Sequence, residues 1–222
     1  LAYMPNPMAR ALKRGRSRLI GLVVADVTNP FSVAVLRGAE KAAQEAGYLV
    51  MLFNLGNASE REREGIEALA AYQVEGFILN TLGGDATAAG EVARHGKPAV
   101  LVDRKHGGMH ADFVSLDNVD GVRQGVAHLL GNGWRELLFI TEPIAGVSAR
   151  VERAAAFRSF VGEHGGGVGG QVVELTLGTD AELDHALREL KRRGGPRPVA
   201  AMANNSLVTL RVAAAMARLG WS

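Results

Sequence analysis

Polar side chains recur in this chain where apolar strands end. Asp26 and Asn29 follow the run LIGLVVA, Asp103 closes PAVLVD, and Asn204 follows PVAAMA. Carboxylates and amides at such positions suit the recognition of a polar ligand, because open α/β sheets bind at the carboxyl ends of their strands. Nothing beside them points to bond-breaking chemistry. There is no G-x-S-x-G elbow, no paired-carboxylate motif and no phosphate-binding G-x-x-x-x-G-K-[ST] loop. Gly165, Gly167 and Gly170 have the G-x-G-x-x-G spacing, but they follow a helix and precede a strand, the reverse of the dinucleotide-binding order. His106 and His110 share a loop without a third ligand at suitable spacing, so the loop reads as solvated and no metal or other cofactor is expected. The absence of cysteine excludes disulfides and thiolate sites.

The elements that must position these residues alternate along the chain. Strands are expected at 19–25, 48–54, 76–80, 98–103, 112–117, 135–141, 171–175 and 198–203. Helices are expected at 33–46, 59–72, 86–95, 119–131, 148–164, 181–193 and from Asn205 to Arg218. Ser59 followed by Glu62 has the spacing of a capping box, and Gly47 suits the position just past a helix. Repeated strand–helix units imply parallel sheets, in one wide sheet or two smaller ones. The turn GNGW at 131–134 is the expected crossing from one lobe to the other.

Apolar residues at 47% and charged residues at 22% describe a globular chain. No apolar run is long enough for a membrane helix, and no apolar stretch follows a basic start as a signal peptide requires. The cytoplasm is therefore the expected location. The net charge of +2 is unevenly spread. Residues 1–25 carry 5 of the 25 Lys and Arg and no acid, leaving 20 bases against 23 acids, a net of −3, in the remainder. This leading charge sits in YMPNPMARALKRGRSR, where Asn6 suits a helix N-cap, Pro7 the first turn and Gly15 the stop. A helix of about eight residues is too short to persist alone in water. Apolar on one side (Met8, Ala11, Leu12) and basic around it, it suits a DNA minor groove, where apolar wedges part base steps and cations meet phosphates.

The pattern Tyr3-x-Pro5-Asn6-x-x-Ala9-Arg10-x-Leu12 resembles the hinge helix of the LacI/GalR family of bacterial transcription repressors. LIGLVVADVTNPF then resembles that family's first core strand and cleft loop, and the likeness continues through VEGFILN, KPAVLVDR, VSLDNVDG, GVSARVERAAAF and AMANNSLV. The resemblance implies an α/β fold of two Rossmann-like, periplasmic-binding-protein-like lobes with parallel sheets, incomplete at the carboxyl end. It implies residues 1–16 as a hinge to a preceding helix-turn-helix, 17–132 as the first lobe and 133–222 as part of the second, with the effector held between them. Leu12 becomes the wedge in an operator base step and Arg10 a backbone or groove contact, with Asn6 and Ala9 in the same hinge. Expected partners are operator DNA, a sugar-like effector and a second copy of the chain, in a dimer or tetramer, with no membrane.

By the same resemblance, Asp26, Asn29, Phe31, Asp103, Asp120, Ser148, Arg153 and Asn204 are the effector contacts. Phe31 matches an aromatic that stacks on ligands; Ser32 stands where a second aromatic is common, which disfavours a flat purine. Arg153 matches a ligand-binding arginine whose fork bridges hydroxyls or a carboxylate. Ala156 replaces the usual Gly before Phe157, and Asn204-Asn205 replaces Asn-Asp. Structural alternatives stand beside these roles: an Asx-turn for Asp26 and Asn29, lobe core for Phe31, a helix cap at Asp117 and Asn118, a helix-dipole role for Asp120, a surface position for Arg153 and an N-cap at Asn204. Two other classes are weighed against a repressor: an exported sugar-binding protein on the same fold, and an α/β enzyme.

Overall fold

The computed structural model describes residues 16–82, 86–176 and 178–221. The expected hinge residues Asn6, Ala9, Arg10 and Leu12 lie outside them. The chain forms two compact units, one ending at Ser115 and the other beginning at Leu116.

In the first unit the strands are β1 (Leu19–Val24), β2 (Leu49–Asn54), β3 (Gly76–Leu79), β4 (Ala99–Val102) and β5 (Asp112–Val114), with helices α1 (Pro30–Glu45), α2 (Arg61–Ala71) and α3 (Ala86–His95). All strand pairs are parallel, in the order β2-β1-β3-β4-β5. Val23 of β1, Phe77 and Leu79 of β3, and Ile66 and Leu69 of α2 close one core. The helix α1 starts three residues earlier than its apolar pattern suggests, because Asn29 caps it through the Phe31 N–H at 3.0 Å and Pro30 fits the first turn. Gly47 takes positive φ just past its end, as expected. The expected capping box fails. The helix α2 starts at Arg61 behind Glu60 without a side-chain cap bond, and Ser59 accepts from the Glu62 N–H through its backbone carbonyl. The fifth strand is three residues long rather than six, with all three exposed, an edge strand without a partner on its outer side among the described residues.

The second unit holds β6 (Glu136–Thr141), β7 (Gly169–Glu174) and β8 (Val199–Ala203) in the parallel order β7-β6-β8. Its helices are α4 (Asn118–Gly131), α5 (Ser148–Glu163), α6 (Asp180–Gly194) and α7 (Ser206–Arg218). Every residue of β6 is buried, as its unbroken apolar run requires for a strand covered on both faces. Leu137 and Phe139 meet Val122 and Val126 of α4 and Phe157 of α5 on one face. Leu138 and Ile140 meet Leu183, Leu187 and Leu190 of α6 and Val208 and Val212 of α7 on the other.

The unit boundary corrects the expected crossing at 131–134. The helix α4 buries Val122 and Val126 in the second core, so it belongs to the second unit, and the chain passes from one unit to the next just after β5. A strand–helix reading pairs each helix with the strand before it, and here the helix packs on the strand after it.

Candidate functional site

The carboxyl ends of the first unit's strands gather Asp26, Asn80, Thr81 and Asp103. Asp26 accepts from the Thr28 N–H at 2.9 Å and from the Asn57 side-chain amide at 2.8 Å, while its carbonyl accepts from the Asn29 N–H at 3.2 Å. With Asn29 capping α1, both residues of the expected Asx-turn make it. Phe31 is half-buried on the first turn of α1. Asn80 ends the run VEGFILN without a role assigned from the sequence, and no motif marks Thr81. The Asn80 amide receives the Ala25 N–H at 3.5 Å and donates to the Val102 carbonyl at 3.0 Å, so one side chain ties the ends of β1, β3 and β4 together. The Thr81 hydroxyl is fully buried and has no hydrogen-bond partner among the described residues.

Asp103 is held in a strained turn. Its φ is +67, and the Arg104 N–H reaches back to the Val102 carbonyl at 2.8 Å, closing a three-residue turn of the rare positive-φ kind. Such conformations cost about 1–3 kcal/mol and persist where surroundings impose them. Here the Asp103 N–H is held by the Val114 carbonyl at 2.9 Å. Arg104 lies beside the Asp103 carboxylate at 3.7 Å and donates to the Thr81 carbonyl at 3.2 Å. His106 is buried, which corrects the solvated-loop reading: its Nδ1 accepts from the Gly108 N–H at 3.3 Å. No group of three side chains suited to a metal occurs among the described residues.

In the second unit, α5 carries Arg153 and is fixed by its next turn. Phe157 is buried and stacks on Phe139 of β6, with ring centroids 5.3 Å apart and planes 30° from parallel. Ala154 and Ala156 are small and buried, so the helix lies close to the sheet. That placement sets the Arg153 guanidinium between two acceptors of the same unit. Nε donates to Asn118 Oδ1 at 2.8 Å, and Nη1 donates to the Asn204 carbonyl at 3.0 Å. Arg153 is therefore half-buried and anchored rather than a solvated surface arginine.

Asn204 continues β8 by donating its N–H to the Ile140 carbonyl at 2.9 Å. Its side chain does not cap α7. Asn205 does, accepting from the Val208 N–H at 3.0 Å while its amide donates to Glu142 at 2.7 Å. Asn204 is 8% exposed, yet its Oδ1 has no hydrogen-bond partner among the described residues. A buried amide oxygen left so costs about 1–3 kcal/mol, and most buried side-chain polar atoms in folded proteins have a partner. The cap assignment makes a check: Asn205→Ala should lower stability by about 1 kcal/mol, read as a shifted urea midpoint.

The other expected contacts of this unit fall differently. Asp117 caps α4 through the Asp120 N–H at 2.9 Å. Asp120 turns along its own helix to Arg123 and Gln124, whose hydrogen bonds, Arg123 first, hold its carboxyl below the ordinary range. Ser148 begins α5, half-buried, on the same helix as Arg153. Asn118, expected to share the cap, has instead a buried side chain on Arg153. Its one sequence signal is that it follows the capping Asp117.

Each unit carries polar groups at the ends of parallel strands, the setting in which open α/β sheets bind ligands. Residues 17–221 match the family described as periplasmic binding proteins and sugar binding domain of LacI family. The chain belongs to that family. It is 44% identical over 212 residues to the HTH-type transcriptional regulator PtxS of Pseudomonas aeruginosa, covering 95% of this chain and 60% of that one. It is 34% identical over 220 residues to the HTH-type transcriptional regulator KdgR of Bacillus subtilis, covering 99% and 65%. The chain thus spans about three-fifths of the length of the curated relatives it matches. Among solved structures, a LacI transcriptional regulator from Lactobacillus brevis superposes with a TM-score of 0.78 at 20% identity, over 91% of this chain and 75% of that one. The Cra transcriptional dual regulator from Pseudomonas putida, in complex with fructose 1-phosphate, gives 0.74 at 22% identity, over 90% and 74%. Both show the shared fold. No helix among the described residues is long and apolar enough to cross a membrane.

Proposed function

We propose that this chain is the effector-binding part of a cytoplasmic transcriptional regulator, a repressor, that takes a small polar effector of the sugar class. The observation that carries the reading is an anchored guanidinium, Arg153, that donates to the carbonyl of Asn204, whose buried side-chain Oδ1 has no hydrogen-bond partner among the described residues. A donor fork and an acceptor on two hydrogen-bonded residues suit a diol, whose hydroxyls both accept and donate. The proposed contacts of the second unit also include Asp120 and Ser148, and those of the first unit are Asp26, Asn29, Phe31 and Asp103. Of these, Asp26, Asn29 and Asp120 also serve their own helix or turn and are the weaker contributors. The family description as a sugar-binding domain, and relatives named as transcriptional regulators, support the class of ligand and the role.

Residues 1–16 serve as the hinge that reads effector state out to operator DNA in a homodimer, with Asn6, Ala9, Arg10 and Leu12 at the groove. An effector can act only by binding one arrangement of the regulator better than another. The ligand class is tested by a thermal-shift screen of monosaccharides, their acids and their phosphates on this chain. At least one class should raise the midpoint in a saturable way, and a flat response throughout would contradict the reading. The hinge is tested in the full-length regulator. Leu12→Ala removes the wedge and should weaken operator binding about tenfold or more and reduce the DNA bend. Unchanged affinity and bend would remove Leu12 from that role.

A further inference from the structure

Asn118 is a neutral amide in a place where a carboxylate would make the stronger partner for an arginine. It is 5% exposed, at the head of α4, and its side chain is shared by two adjacent residues of α5. Oδ1 accepts from Arg153 Nε at 2.8 Å, and Nδ2 donates to Glu152 Oε2 at 2.7 Å. The two contacts fix which way the amide points. Turned over, it would set its N–H groups against a guanidinium and its oxygen against a carboxylate. The bond to Nε and the bond from Nη1 to the Asn204 carbonyl restrain the guanidinium about its own plane. Because Asn118 is uncharged, this restraint adds no negative charge to the arginine.

We infer that Asn118 is the positioning residue of the effector site: Glu152 orients its amide, and the amide presents Arg153 at a set angle with its cationic character undiminished by this partner. The inference rests on the reading of Arg153 as an effector contact. An aspartate at this position would hold the guanidinium by charge, face the Glu152 carboxylate at hydrogen-bond distance, and compete with an incoming acceptor. A restrained fork also loses less rotamer freedom on binding, which is the usual gain from preorganisation.

The test reads Arg153 directly. In the unliganded 222-residue chain labelled with nitrogen-15, the Arg153 Nε–H resonance, assigned by its loss in Arg153→Ala, should be sharp and slow to exchange with solvent. Asn118→Ala should broaden it and speed its exchange about tenfold or more, with backbone resonances of β6 and β8 unmoved. If Asn118→Ala does not fold, the swapped pair Asn118→Asp/Glu152→Gln decides. In that pair the new amide at position 152 donates to the new carboxylate at position 118, which still accepts from Nε. The protected signal should therefore return, whereas Asn118→Asp alone should fold less stably than the pair. A protected and unshifted Nε–H in Asn118→Ala, or a swapped pair that folds with the signal lost, overturns the inference. Calorimetry with D-glucose, D-gluconate and D-glucose 6-phosphate separates the two readings. If Arg153→Ala leaves their binding unchanged while Asn118→Ala frees the Nε–H, the effector assignment fails and the positioning contact stands.

Discussion

Replacing Arg153 by alanine should remove most of the affinity for the effector and also destabilise the empty protein. A hydrogen bond to a charged group is worth about 1.5–3 kcal/mol, or roughly 10- to 150-fold in affinity, and more where the fork makes two. The loss of stability has a separate source. Asn118 Oδ1 and the Asn204 carbonyl both accept from Arg153, and truncation takes a donor from each. A buried acceptor stripped of its donor costs about 1–3 kcal/mol. Arg153→Lys divides the two effects, since an ammonium keeps the charge but cannot span both acceptors with a fixed fork. Titration calorimetry and urea unfolding on the same samples check both: affinity should fall in both variants, further in alanine, while the midpoint drops in each. Unchanged affinity in Arg153→Ala would remove this residue from the site.

The second large effect is expected at Phe139. It is fully buried at the centre of β6, against Phe157, Val122 and Val126. Phe139→Ala should cost about 3–5 kcal/mol, the range for deleting a buried ring and leaving a cavity. The core it joins is the second unit's, and none of these residues belongs to the first unit's core. Hydrogen exchange should therefore quicken at amides of β6, β7 and β8 while those of β1 and β3 keep their protection. Equal loss of protection in both sheets would show that the two units unfold as one. Because Phe157 sits one turn beyond Arg153 on α5, the variant should also lose effector affinity in proportion to the disorder of that helix.

The elements were readable because each strand is a short apolar run bounded by polar or glycine residues, and each helix repeats its apolar positions. The start of α1 is an exception, since Asn29 with Pro30 sets it three residues ahead of the apolar pattern that begins at Val33. What could not be read was which unit α4 joins. Its pattern shows an apolar face at Val122 and Val126 but not the sheet that covers it. The division of labour between neighbouring amides was equally hidden. Asn204 and Asn205 are chemically identical in the sequence, and only the backbone decides that Asn205 bonds the helix end and Asn204 stays buried without a partner for its oxygen among the described residues. Asp117 and Asn118 repeat the case, one capping α4 and the other turning inward to Arg153. Thr81 and Asn80 gave no signal beyond standing at the end of a strand, since burial of a hydroxyl is a property of the packed sheet. Asp120 was legible as an acid in a first turn, but not its capture by Arg123 and Gln124.

If this domain is the sensor of a larger regulator, ligand taken up here must alter operator binding by the whole protein. Fluorescence anisotropy of the full-length protein on its operator, titrated with the sugar-class ligand that most stabilises the isolated chain, decides the matter. Operator affinity should change about tenfold or more, as coupling of about 1–3 kcal/mol gives, and should not change in Arg153→Ala over the same range. An operator affinity indifferent to a ligand that demonstrably binds the chain would show that this domain does not control the DNA contact.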